Sequence, residues 1–319
     1  MSAEADNEPG DALLTLEGMP IALRRSLVAD EYFWLRTKVL EGEAPPAFAE
    51  AFSAMHELRA DLSGDPTAYE DLEVPLGVVG HAAELVAIYG ELPERKEVGG
   101  RTVQLRADAV RLAQAMAAVE GAYKLGPYRD HAAAIAVAAK DLSAHLVPKE
   151  AAILKAIERD MGLPDGARAV VVTLVSDAPY PGIFAADARG RVMASFVRVR
   201  GLDGSALAET VLHESLHALD EMTVRESTAM NALRAALAKR GIDESDSNAE
   251  MAINTVTSAE AASLVRRFVD PAYRGLGEKG FYTLYPPAPA IVAAWTRHVD
   301  GADGLDATAD AIAKAVTDP

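Results

Sequence analysis

The chain contains no cysteine in its 319 residues. This absence excludes a disulfide scaffold, a thiol nucleophile and a metal held by thiolates. Long apolar runs are also missing: none reaches the roughly 18 residues that a membrane-spanning helix needs, so no membrane span is predicted. Aromatic residues make up only 6% of the chain.

Basic residues are scarce relative to acidic ones, with 31 Lys and Arg against 48 Asp and Glu and a formal net charge of −17. Such a surface repels nucleic acid, and no basic patch interrupts it, so nucleic acid is excluded as a partner. Hydrophobic residues form 50% of the chain, which is typical of a globular protein. A chain of this length forms one large domain or two smaller ones.

The N-terminal residues are polar and acidic, without the basic start or the apolar core of a signal peptide. Taken as given, the chain is therefore expected in the cytoplasm. If an export leader was trimmed from it, the periplasm or secretion is expected instead. No feature of the sequence specifies an oligomeric state.

The fold class predicted from the sequence is mainly α with a small β-sheet (α+β). Residues 1–18 are predicted to be a flexible segment, 19–163 an α-helical domain that begins with a helix over 21–40, and 164–319 a second domain. The boundary is placed at Leu163-Pro164-Asp165-Gly166, which is a strong turn signal. Three apolar and β-branched runs, 168–175, 183–186 and 191–199, predict a three-stranded sheet that opens the second domain.

One pentapeptide has residue types and spacing that together indicate a chemistry: His213-Glu214-Ser215-Leu216-His217, the pattern H-E-x-x-H. On a helix, positions i and i+4 lie on one face, so the two imidazoles converge on a single metal ion. Glu214 is placed to reach a water bound to that metal. A helix is predicted here because Asp203 or Ser205 can cap it and no Gly or Pro interrupts it as far as Arg225.

A catalytic zinc site usually has three protein ligands and one open position. Glu260 is the only charged residue between Met251 and Val265, a stretch that is typical of a buried helix. A buried carboxylate is unfavourable unless a cation or hydrogen bonds compensate it, and a bound metal is one such cation. Two alternatives stay open: Glu260 is an exposed residue on a face of small side chains, or Glu250 is the third ligand.

The combination of His213, Glu214, His217 and a lone downstream Glu260 resembles the gluzincin branch of the zincin metallopeptidases, over about residues 165–270. The resemblance implies that 164–319 is a zincin-like metallopeptidase domain with its sheet before the metal-binding helix. The chain departs from the gluzincin pattern around the third ligand. It has Ser258-Ala259-Glu260-Ala261-Ala262, without the usual Asn before the Glu and Asp after it.

The resemblance further implies a zinc-dependent metallopeptidase that acts on a peptide or protein substrate. His213, His217 and Glu260 would bind Zn²⁺, and Glu214 would be the general base for attack of water on the peptide carbonyl. A Tyr or His downstream would stabilise the oxyanion. Tyr282 and His298 are the predicted catalytic residues for this role, and Tyr273 and Tyr285 are further candidates.

Two other hypotheses belong to different classes. The chain could be a non-catalytic zincin-like module that binds metal or a partner, although a structural site has no use for the general base Glu214. It could also be a helical protein in which the motif arose by chance. The isolated histidines of the N-terminal half, His56, His81, His131 and His145, are not predicted to be ligands or catalytic residues.

Overall fold

The computed structural model describes residues 11–43, 45–63, 66–163, 170–186, 193–222, 227–243, 246–280 and 284–318. Helices dominate these ranges, and the strands form a mixed five-stranded sheet and a two-stranded sheet. The predicted fold class, mainly α with a small β-sheet, is therefore confirmed.

The helices vary in length from a single turn to 22 residues. In chain order they are α1 Leu27–Glu41, α2 Ala49–Asp61, α3 Glu70–Glu73, α4 Ala82–Gly90, α5 Leu105–Leu125, α6 Pro127–Leu146, α7 Glu150–Met161, α8 Gly204–Met222, α9 Thr228–Lys239, α10 Ser247–Phe268, α11 Leu276–Lys279, α12 Ala288–Val299 and α13 Leu305–Thr317. The strands are β1 Asp11–Leu16, β2 Ile21–Arg25, β3 Lys96–Val98, β4 Arg101–Val103, β5 Val170–Val175, β6 Gly182–Ala186 and β7 Met193–Arg198.

The larger sheet has the strand order β1-β2-β5-β7-β6. Strand β5 pairs with β7 in parallel, and β6 pairs with β7 in the antiparallel sense. The three predicted strands correspond to β5, β6 and β7, but the sheet also includes β1 and β2. Strand β1 falls within the segment 1–18 that was predicted to be flexible, and residues 1–10 lie outside the described residues.

Strand β2 occupies the beginning of the helix that was predicted over 21–40. Ile21 and Leu23 are buried on alternate positions, as in a strand with one face in the core. The helix begins only after Ser26, whose side-chain oxygen accepts a hydrogen bond from the backbone N–H of Ala29 at 3.2 Å. Because the buried and partly buried residues alternate before the capping serine, the helix begins at residue 27, six residues later than predicted.

The chain divides into two compact units, each made of several segments. One contains the described parts of 1–15, 22–140 and 171–202, and the other those of 16–21, 141–170 and 203–319. This differs from the predicted division at residue 163, because nearly all of β5 and all of β6 and β7 belong with the N-terminal helices. The reason is the pairing of β5 beside β2, which joins segments far apart in sequence and leaves no local signal.

In the first unit, a buried polar network surrounds Asp30 of α1. One carboxylate oxygen, Oδ2, accepts hydrogen bonds from the Tyr123 hydroxyl at 2.7 Å and contacts His131 Nδ1 at 2.8 Å. The other, Oδ1, accepts a hydrogen bond from the backbone N–H of Ser176 at 2.5 Å. Because Asp30 is fully buried, these hydrogen bonds replace the water that its charge has lost.

The second unit is a helical assembly in which α10 packs against α8 and α12, and α9 packs against α13. In α10, 11 of the 22 residues are buried, which makes it the central helix of this unit. Across the described residues, none of the helices is long and apolar enough to pass through a membrane.

Candidate functional site

Helix α8 carries the H-E-x-x-H motif, in the helical setting that the sequence predicts. The helix is capped by Asp203, whose Oδ1 accepts a hydrogen bond from the backbone N–H of Ala206 at 2.8 Å. Gly204 allows close packing at this end, because a Cβ there would lie 2.7 Å from Asp141 Oδ2 and 2.8 Å from His145 Nε2. The start of α8 is thus fixed by a capping carboxylate and by contact with α6.

His213 and His217 differ from the rest of α8 in their exposure. Every other residue from Ala206 to Asp220 is buried, whereas these two are only partly buried. Their Nε2 atoms lie 3.2 Å apart, and the ring planes meet at 80°. The helix therefore presents two imidazole nitrogens to the same point.

The pKa values of both histidines favour the neutral ring. Burial lowers the pKa of His213 well below its ordinary value, and the neighbouring His217 lowers it further. Burial, together with the charge of Arg234, lowers the pKa of His217 to about 4. Neutral imidazole is the form that binds a metal ion, so both rings are in that form at neutral pH.

Glu214 is 4% exposed, and its Oε1 lies 3.9 Å from His213 Nε2. Burial raises the pKa of Glu214 to about 8. A carboxyl group whose pKa lies near the working pH both accepts and returns a proton readily. Its place beside the imidazole pair gives the site a group for acid–base chemistry.

Helix α10 supplies two polar side chains that contact the histidines. Ser258 Oγ lies 3.3 Å from His213 Nδ1, and the side chain of Asn254 hydrogen-bonds His217. Such partners fix the orientation of a ligand imidazole and select the ring nitrogen that carries the proton. Sequence reasoning missed both residues, although their spacing of four places them on one face of a helix and was an available signal.

Glu260 lies on a different side of α10. It is two positions from Ser258, which is roughly 200° around a helix of 3.6 residues per turn. Its side chain is fully buried, and its Oε2 accepts a hydrogen bond from Trp295 Nε1 at 3.0 Å. The structure therefore places Glu260 with α12 rather than with the two histidines.

The prediction of a metal-binding group made of His213, His217 and Glu260 is wrong. Among the residues that the structure describes, no group of three or more His, Cys, Asp or Glu side chains could hold a metal ion. Glu250, the competing third ligand, is exposed in the first turn of α10 and belongs to no such group. Of the three predicted ligands, only the two histidines are brought together.

The residues predicted to stabilise an oxyanion are dispersed. Tyr282 lies outside the described residues. His298 contacts the carbonyl oxygen of Asp160 through Nε2 at 3.0 Å and that of Asp303 through Nδ1 at 3.4 Å. Both ring nitrogens lie against backbone carbonyl oxygens, of which a neutral ring can donate to only one, and the catalytic role of His298 stays a prediction.

Two further tyrosines have hydroxyl groups with identified partners. The Tyr273 hydroxyl donates a hydrogen bond to Glu209 Oε2 at 2.5 Å, and the Tyr285 hydroxyl donates to the carbonyl oxygen of Asn248 at 3.2 Å. Glu209 precedes His213 by one turn of α8. Tyr273 thus holds the segment before α11 close to the helix that carries the motif.

Comparison of the chain with family models, curated proteins and solved structures gave no match. The resemblance to gluzincins therefore rests on the motif alone and stays a prediction.

Proposed function

We propose that the chain hydrolyses peptide bonds, with a zinc ion held by His213 and His217 and with Glu214 as the general base. The observation that carries the proposal is the 3.2 Å separation of the two Nε2 atoms beside a buried carboxyl group. Two nitrogens bound to one tetrahedral zinc ion at 2.0–2.1 Å would be about 3.3 Å apart. The pair thus fits two positions of such an ion, and the described residues offer no third carboxylate or imidazole to it.

When bound, zinc supplies the chemistry of a Lewis acid, lowering the pKa of a bound water to about 7. The protein groups have separate tasks. The ionised form of Glu214 takes a proton from the attacking water, and its protonated form returns that proton to the leaving amine. Asn254 and Ser258 hold the two imidazoles in place.

A non-catalytic module that binds metal or a partner is the second candidate. The observation in its favour is that the described residues form no complete set of three ligands. The buried Glu214 argues against it, because burying a carboxyl group is unfavourable and a non-catalytic site has no use for a general base.

Zinc uptake tests the ion-binding part of the proposal. The wild-type protein, freed of metal with a chelator and given zinc, is expected to bind one ion per chain, and the His213→Gln/His217→Gln double variant none. His145→Gln is the matched control, because it removes a histidine of the same unit that contacts Asp141 instead. Equal zinc uptake by the double variant and the wild type would contradict the proposal.

Cleavage of a peptide library separates the two candidate functions. A hydrolase is expected to cleave library peptides when zinc is present, to lose the activity with the chelator and to regain it when zinc is restored. Stoichiometric zinc binding without cleavage of any library peptide would instead support the non-catalytic module.

A further inference from the structure

We propose that Glu260 is a positioning residue, a buried hydrogen-bond link that fixes α10 so that Asn254 and Ser258 meet the two imidazoles of α8. The importance of this link for catalysis rests on the proposed function. The hydrogen bonds of Glu260 do not depend on that function, so the link is tested on metal-free protein and its effect on zinc binding is tested separately.

Glu260 joins α10 to two neighbouring helices. From α12, Trp295 Nε1 donates a hydrogen bond to its Oε2 at 3.0 Å. From α7, the Asp160 side chain approaches the same carboxyl group, whose Oε1 has no donor among the described residues and can hydrogen-bond Asp160 only by donating a proton of its own. Asp160 is itself 3% exposed, and its carbonyl oxygen contacts His298 Nε2 of α12. Three helices therefore meet at this carboxyl group.

The charges around the link make Glu260 the neutral member of the carboxyl pair. Asp160 is paired with two guanidinium groups, Arg159 Nε at 2.5 Å and Arg267 Nη1 at 2.8 Å. Burial raises the pKa of Glu260, and the nearby charge of Asp160 raises it further. A protonated carboxyl group both donates and accepts a hydrogen bond. It can donate to Asp160 and accept from Trp295, which matches its surroundings.

The link and the site lie on different faces of one rigid helix. Glu260 lies on the face of α10 that packs against α7 and α12, whereas Asn254 and Ser258 lie on the face that contacts α8. The contact between Ser258 Oγ and His213 Nδ1 is 3.3 Å, near the long end of the range for hydrogen bonds, so a small shift of α10 would break it. Loss of the link should therefore weaken the contact between Ser258 and His213, although Glu260 itself does not contact His213.

Three variants test this inference. Glu260→Gln keeps a neutral group that can donate to Asp160 and accept from Trp295, whereas Glu260→Leu removes both hydrogen bonds. Leu264→Ala is the matched control, because Leu264 is fully buried one turn further along the same face and its loss destabilises by a cavity alone.

The main measurement is made on metal-free protein: the ring ¹⁵N NMR signals of His213 and His217, which report the tautomer of each imidazole. Glu260→Gln and Leu264→Ala are expected to keep the wild-type tautomers, and Glu260→Leu is expected to shift His213 to a mixture. Wild-type signals in Glu260→Leu, or the same shift in Glu260→Gln and Glu260→Leu, would overturn the inference. If Glu260→Leu does not fold, Trp295→Phe removes one of the two hydrogen bonds, and the absence of any shift there would overturn it as well.

Zinc affinity is the second measurement. Glu260→Leu should bind zinc about 10- to 100-fold more weakly than wild type, as for loss of a group that orients a ligand, and Glu260→Gln should bind about as tightly as wild type. Equally weak binding by the two variants would make the negative charge of Glu260 essential and would overturn the inference. If wild type binds no zinc while the tautomers shift as expected, the proposed function fails and the positioning role stands.

Discussion

Replacing Glu214 with glutamine is expected to lower the rate of peptide hydrolysis by roughly 10²- to 10⁴-fold, the usual contribution of a general base. Glutamine has nearly the shape of glutamate but cannot accept the proton of the attacking water. His213 and His217 are unchanged, so zinc uptake should persist. Initial rates on the best library peptide, measured beside zinc content, check both statements.

Ser215→Ala is the matched control for this variant. Ser215 is the next residue of α8 and is buried, and its hydroxyl donates a hydrogen bond to the carbonyl oxygen of Val211 in the same helix at 2.7 Å. Its rate should stay close to that of wild type. A Glu214→Gln protein that cleaves peptides as fast as Ser215→Ala would show that the base lies elsewhere.

The same Glu214→Gln change should stabilise the metal-free protein, and more so as pH rises. The pKa of Glu214 rises from an ordinary value of 4.5 to about 8 on folding. Between these values the unfolded chain releases a proton that the folded chain keeps, so the stability of wild type falls as pH increases through this window. The gain for glutamine should be small near pH 4 and on the order of 5 kcal/mol above pH 8, at about 1.36 kcal/mol for each unit of the pKa difference.

Thermal unfolding of metal-free wild type and Glu214→Gln, measured at pH 4 and pH 9, checks this sign. A larger gain at pH 4 than at pH 9 would mean that the carboxyl group is ionised in the folded protein. The combination of lost activity and gained stability is typical of a residue that is kept for function at the expense of stability.

The part of the site that could be predicted from the sequence is the local part. His213 and His217 are four residues apart, and a helix alone brings their rings to one face. The helix itself is recognisable from its cap at Asp203 and from the absence of Gly and Pro between Ser205 and Arg225. No long-range contact was required for that prediction.

The role of Glu260 could not be predicted, because its partners are remote in sequence. Asp160 precedes it by 100 residues and Trp295 follows it by 35. The pattern showed only that a lone carboxyl group in an apolar helix needs compensation. A metal ion and a pair of hydrogen bonds can each compensate a buried carboxyl group, and the sequence does not show which of them is present.

The fold was predictable to a similar depth. Strands β5, β6 and β7 are recognisable because their β-branched and apolar runs are bounded by turns. Strand β2 is short and precedes a long helix, so its alternating apolar residues were included in the helix predicted over 21–40. Its pairing beside β5, which assigns the sheet to the N-terminal unit, is again a contact between distant segments.

Asp30 and Glu31 are adjacent on α1, and both are fully buried, yet their replacement is expected to change stability in opposite directions. Asp30→Asn should lower the free energy of unfolding by about 3–5 kcal/mol, as for the loss of one partner of a buried ionic network. Three groups, from Tyr123, His131 and Ser176, converge on the two oxygens of Asp30. An amide has one oxygen, so its NH₂ group would face at least one donor.

Glu31 has the opposite surroundings. Neither of its carboxyl oxygens has a hydrogen-bond partner within the described part of the chain. Burial raises its pKa to about 9, with smaller contributions from the charges of Glu120 and Asp30. Glu31→Met removes the polar group and keeps an unbranched side chain of similar size, so it should stabilise the protein at pH 7 by on the order of 3 kcal/mol.

Urea unfolding of wild type, Asp30→Asn and Glu31→Met at pH 5, 7 and 9 tests the pair. The folded chain keeps the Glu31 proton up to about pH 9, whereas the unfolded chain releases it near 4.5. The stability of wild type therefore declines across this window, and the gain from Glu31→Met should grow from pH 5 to pH 9. Destabilisation by Glu31→Met at every pH would mean that its carboxyl group is satisfied in the folded protein. Burial is the same for both residues, so opposite signs would show that hydrogen-bond partners decide whether a buried carboxyl group stabilises this fold.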